Sequence, residues 1–150
     1  MILGFASDHR GYKLKEELIK YFSDNGYNII DYGTNNEESC DYPDYAYKLG
    51  QGINNHEVAF GIAICGSGIG ISIAMNKIKG VYCAKVSNEE EARYTRLDNN
   101  TNCVAFGEKT CLDDAIKIVQ TFINTEFSNL EKHQRRINKV KQIENGDFNG

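Results

Sequence analysis

The sequence has no Cys-x-x-Cys pair, no excess of basic residues, no internal repeat, no low-complexity tract and only one proline, Pro43. Each absence removes a class of answer. The five cysteines, at 40, 65, 83, 103 and 111, are odd in number and widely spaced. They outline neither a disulfide scaffold nor a zinc site. Reduced thiols in a cytoplasmic protein are the simpler expectation. Lys and Arg number 17 against 21 Asp and Glu, for a net charge of −4. The chain therefore lacks the basic face that nucleic-acid binding requires. No linker interrupts it, so residues 1–150 read as a single domain. Hydrophobic residues make up 41% and charged residues 25%, which excludes a disordered chain.

Membrane and export signals are weak. Met1 to Asp8 shows no basic leader, and its apolar run is short for a signal peptide. One run, Val58 to Asn76, carries no charge and approaches the length of a membrane span, with a Gly66-xxx-Gly70 spacing inside it. Glycines 61, 66, 68 and 70 and serines 67 and 72 break it up. The pattern predicts a buried strand, a tight turn and a helix.

Short apolar runs alternate with helical periodicity along the whole chain. Strands are predicted at 2–6, 27–31, 58–64, 81–86 and 102–106. Leu14, Leu18 and Phe22 mark a helix that Asn25-Gly26 stops. Pro43 opens a second helix running toward Asn54-Asn55. A third follows the Cys65–Gly70 loop through Met75. Ser87-Asn88-Glu89-Glu90 suggests a capping box for a fourth. Two more are expected near 111–123 and 128–143, the last with Leu130, Ile137 and Val140 on one stripe. Such alternation predicts an α/β, Rossmann-like three-layer sandwich around a five-stranded parallel sheet. Ligands in such folds sit beyond the carboxyl ends of the strands. Ser7-Asp8-His9 and Cys65–Gly70 are both predicted there.

Cys65-Gly66-Ser67-Gly68-Ile69-Gly70 places glycines at alternate positions, so backbone amides can surround an anion. The helix that follows aims its positive end at the same point and favours thiolate at Cys65. By residue type alone, a buried thiol before a tight turn fits as well. The dinucleotide fingerprint fails at Ile71, and no Gly-Lys-Ser/Thr exists for a mononucleotide loop. Asp8-His9 offers a carboxylate and an imidazole, or a helix cap and a surface histidine. Five of the 17 lysines and arginines fall between 132 and 141. That is the composition of a solvated helix face, yet Lys132 and Arg136 are four apart, as a phosphate grip requires. Asp98 to Asn102 reads as a polar turn between helix and strand.

Ser7-Asp8-His9-Arg10-Gly11, Asp41-Tyr42-Pro43, the run from Ile64 to Lys77, and Asn100-Thr101-Asn102 together resemble the B-type ribose-5-phosphate isomerases, a family that includes galactose- and allose-6-phosphate isomerases. The resemblance runs in order from residue 2 to about 143. It implies an aldose–ketose isomerase working through a cis-enediolate, with no metal or cofactor. Carried over, Cys65 is the base and Ser67 shuttles the proton between oxygens. The amides of Gly66, Gly68 and Gly70 hold the enediolate. Asp8, Tyr42 and Asn99 hold sugar hydroxyls, and His9, Lys132 and Arg136 hold the phosphate. It further implies a homodimer, or a dimer of dimers, in which the tail helix packs on the partner and supplies Lys132 and Arg136.

Two positions depart from the family pattern. Where the family usually carries a ring-opening histidine, this chain has Asp98. A carboxylate accepts a proton readily but donates one poorly near neutral pH, unless burial favours its neutral form. That leaves three expectations: an enzyme with altered ring opening, a hexose-6-phosphate isomerase, or a non-catalytic sugar-phosphate binder. At 132, lysine replaces the usual arginine, keeping the charge and losing the two-pronged grip. Ser67 for threonine keeps the hydroxyl.

Overall fold

The computed structural model describes residues 1–150. Five strands, β1 (Ile2–Ser7), β2 (Asn28–Asp31), β3 (Phe60–Cys65), β4 (Cys83–Lys85) and β5 (Cys103–Gly107), form one sheet in the order β2-β1-β3-β5-β4, and every pairing is parallel. Six helices accompany them: α1 (Tyr12–Asp24), α2 (Tyr42–Asn54), α3 (Ile69–Asn76), α4 (Glu89–Asn99), α5 (Leu112–Asn124) and α6 (Glu131–Asn145). The predicted α/β sandwich is therefore the observed one. No helix is long and apolar enough to cross a membrane. The charge-free run resolves into β3, a turn and α3.

The two faces of the sheet differ in side-chain size. Leu3, Phe5, Ile62, Ile64, Val104 and Phe106 point to one face, under α1, α4 and α5. Ala6, Ala63, Cys65, Cys103 and Ala105 point to the other, under α2 and α3. A methyl added at Gly4 or Gly61 would meet Leu49 or Ile53 of α2 at 2.8–2.9 Å. The small-residue face thus lets α2 and α3 sit close to the sheet. Cys65, last on β3, belongs to that face and opens directly under the start of α3.

Boundaries shift where the apolar signal outruns the hydrogen bonds. β3 begins at Phe60 rather than Val58, and β4 is three residues rather than six. The box before α4 sits one residue later than predicted. Asn88 is the cap: its Oδ1 accepts the Glu91 N–H at 2.8 Å, while Glu91 Oε1 accepts the Ser87 N–H at 2.6 Å. Gly26, at φ 89°, ends α1 as expected.

The last helix is unlike the others, because none of its residues is buried. Glu144 ties it to the β4 edge by accepting from the Gly80 N–H and the Tyr82 hydroxyl. Burial, then the Glu144 carboxylate, push that hydroxyl up to about 12. Leu130 at the cap of α6 and Val140 and Ile143 on it remain exposed, as do Ile69 and Ile73 on α3.

Candidate active site

Asp8 follows β1 and is nearly buried. Its Oδ1 accepts the N–H groups of Arg10 and Gly11, both at 3.0 Å, which turns the chain sharply into α1. Gly11, not Asp8, occupies the cap position of that helix. A methyl at Gly11 would strike the Ile64 carbonyl at 2.6 Å, so the turn lies directly against the end of β3. His9 stands beside it. Its Nδ1 accepts the Cys40 N–H at 3.2 Å, which leaves the proton of the neutral ring on Nε2, available as a donor. Cys40 belongs to the loop that delivers Tyr42 at the head of α2, and the Tyr42 ring packs over Gly70.

Cys65 is 4% exposed, and its Sγ accepts the Gly68 N–H at 3.2 Å. Gly68 can do this because it sits at φ 81°, where side chains are strained, and packs its α-carbon on the Phe106 backbone. A methyl there would lie 2.6 Å from the Phe106 carbonyl carbon. Gly68→Ala is therefore expected to cost about 1–3 kcal/mol, read as a lower urea midpoint, whereas a methyl at Gly66 meets the far end of the Arg10 side chain rather than backbone.

Ser67 Oγ accepts the Ile69 N–H at 3.1 Å. Two amides of the loop are thus taken by its own side chains. Those of Gly66, Ser67, Gly70 and Ile71 have no acceptor in the chain. The loop is an open nest of donors with the thiol beneath it. Arg10, paired with Glu108 at 3.1 Å, covers Gly66 from the side; nothing in its position in the sequence marks it for this.

The remaining predicted residues lie elsewhere. Cys65 is level with Gly107, the last residue of β5, while Asp98 and Asn99 end α4, before β5 begins at Cys103. That is the opposite edge of the sheet, roughly 13 Å further along the strands at about 3.3 Å per residue. Arg96 anchors this corner. It donates to the carbonyls of Thr125 and Thr101 and to Asn100 Oδ1, and lies over the Phe60 and Phe122 rings. Burial works against its charge, which these acceptors offset. Asn102 bonds Tyr82 and Gly80, so the Asn-Thr-Asn motif builds the corner.

Lys132 and Arg136 project from α6 at the same edge, exposed and without an ion-pair partner. Asp98 is 42% exposed at its side chain. Its Oδ1 lies 3.3 Å from Nε2 of His133, whose side chain is 14% exposed. His133 stands within the basic run, and its pairing with a residue 35 positions earlier leaves no periodic trace.

The match to known proteins spans both edges. Residues 3–140 fit the family model described as Ribose/Galactose Isomerase. The chain belongs to the ribose/galactose isomerase family. Membership makes it an isomerase. It is 36% identical to ribose-5-phosphate isomerase B of Escherichia coli over 143 residues, 95% of either chain. It superposes on the Clostridium thermocellum ribose-5-phosphate isomerase B with a TM-score of 0.94 and 41% identity, covering 97% of this chain and 99% of that one. It also superposes on the Mycoplasma genitalium ribose-5-phosphate isomerase B, solved with bound ribulose-5-phosphate, with a TM-score of 0.89, 34% identity and 96% of each chain covered.

Proposed function

We propose that the protein interconverts ribose 5-phosphate and ribulose 5-phosphate through a cis-enediolate, in a homodimer with two composite sites. Each site takes Asp8, His9, Tyr42 and the Cys65–Gly70 loop from one subunit, and Asn99, Lys132 and Arg136 from the other. Asp98 travels with the second group. The observation that carries the chemistry is the Gly68 N–H directed at Cys65 Sγ beneath four unengaged amides.

On the open-chain sugar, Cys65 thiolate removes the C2 proton, and the electron pair moves into a C1–C2 double bond while the carbonyl oxygen becomes an oxyanion. The Gly66, Ser67, Gly70 and Ile71 amides face that charge. It exists only along the reaction path, so fixed donors lower the barrier selectively. Ser67 passes a proton between O1 and O2, and Cys65 returns its proton to C1, giving the ketose. His9 offers its Nε2–H to the phosphate, and Lys132 and Arg136 supply positive charge.

The dimer rests on complementarity. One edge of the chain has Cys65 and the open loop amides; the other has Lys132 and Arg136, exposed and without ion-pair partners. The apolar residues left bare on α3 and α6 supply a surface a second copy can cover. Ketose formation from ribose 5-phosphate tests the assignment. Turnover of ribose 5-phosphate is expected to exceed that of galactose 6-phosphate. The reverse order would place the enzyme on hexoses, and turnover of neither would make it a binding protein.

A further inference from the structure

Ribose 5-phosphate is mostly a closed furanose, and Cys65 chemistry needs the open aldehyde. Opening requires one proton removed from the O1 hydroxyl and one delivered to O4 as the C1–O4 bond breaks. At the Cys65 edge, two of the acceptor atoms are already engaged. Asp8 Oδ1 is bonded to two amides, and His9 Nδ1 is bonded to Cys40. The other edge holds a carboxylate and an imidazole in contact.

We propose that His133, oriented by Asp98, opens the sugar ring. This rests on the composite-site reading above, in which the α4–α6 corner of one subunit faces the Cys65 loop of its partner. Nε2 of His133 lies 3.3 Å from Asp98 Oδ1, and Nδ1 has no partner in the chain. A carboxylate at Nε2 holds the proton there and leaves the Nδ1 lone pair for the substrate. Nδ1 takes the O1 proton, the C1–O4 bond breaks as the C1=O1 carbonyl forms, and the imidazolium gives the same proton to O4. O1 and O4 share C1, so one nitrogen reaches both, and nothing is gained or lost overall. Imidazole suits both halves because it changes charge near neutral pH, which an exposed carboxylate does not. Asp98 is then a positioning residue, and the aspartate at a position where the family usually has histidine is compatible with ring-form substrate.

The discriminating probe is 4-deoxyribose 5-phosphate. It lacks O4, and its O5 is phosphorylated, so it cannot close a ring and needs only the Cys65 step. Native chain, His133→Gln and Asp98→Asn are compared on both sugars. His133→Gln is expected to lose about 100-fold in kcat/KM on ribose 5-phosphate while keeping most of its rate on the analogue. Asp98→Asn should fall between native and His133→Gln on ribose 5-phosphate. Retained turnover of the analogue shows that the variants fold and assemble. Equal losses on both sugars would make His133 a binding or structural residue and overturn the proposal, as would no loss on either. A native chain that turns over the analogue but not ribose 5-phosphate would overturn ring opening alone. A native chain inactive on both would remove the isomerase assignment and this step with it.

Discussion

Cys65→Ala is expected to lower ribose 5-phosphate isomerisation by at least about 1,000-fold, while sugar-phosphate affinity changes little. The argument is local. Cys65 ends β3 on the small-residue face of the sheet, beside Ala63 and Ala105, so alanine fits there without strain. The groups assigned to the sugar and phosphate are Asp8, His9, Tyr42, Asn99, Lys132 and Arg136, and none of them depends on the sulfur. The change removes the proton carrier and leaves the loop amides in place. Two readings check it. Ketose formation reports the rate, and exchange of the C2 hydrogen with deuterated water reports the proton transfer itself; both should vanish together. Cys65→Ser should not restore either, since an alcohol keeps the hydrogen-bond acceptor but is a far weaker acid than a thiol. Continued exchange in Cys65→Ala would mean that another group takes the proton, and the role of the loop would have to be reassigned.

The order of strands and helices was legible because a parallel sheet covered on both faces leaves continuous apolar runs, and helices leave 3.6-residue periodicity. Which face each strand residue takes came only with the structure, where the small residues of Leu3-Gly4-Phe5-Ala6 and Gly61-Ile62-Ala63-Ile64-Cys65 fall, with the thiol, on the α2/α3 side. The Cys65–Gly70 loop, by contrast, was readable. Its turn depends on a positive φ at Gly68, a conformation glycine adopts easily, and glycine is visible in sequence. The other half was not readable in this way. Asp98 and Asn99 follow from resemblance as site residues, but which edge they occupy depends on α4 running back across the sheet. Asp98 meets His133 only because Glu144 and the Gly80–Tyr82 turn hold α6 along that corner. Pairings between residues so distant in the chain are set by tertiary packing, and no local pattern encodes them.

The proposed division of the site between two edges makes a strong prediction about mixtures. Cys65→Ala and Arg136→Ala homodimers should each be nearly inactive, the first without a base in either site and the second without its main phosphate grip. In a hybrid dimer, one site pairs the intact Cys65 of the Arg136→Ala subunit with the intact Arg136 of the Cys65→Ala subunit. The other site carries both defects. Random exchange at equal concentrations makes half of the dimers hybrid, each with one whole site, so about a quarter of the native rate should return. Mass spectrometry of the mixture establishes that exchange has occurred, and the rate is followed as hybrids form. If each chain held a complete site, the hybrid would contain two singly damaged sites and the mixture would stay at the low rate of its parents. The prediction is strong because the two edges are separated by the full depth of the sheet. No side-chain movement within one chain brings Arg136 to a phosphate held by His9, whereas a second copy needs only to present its α4–α6 corner.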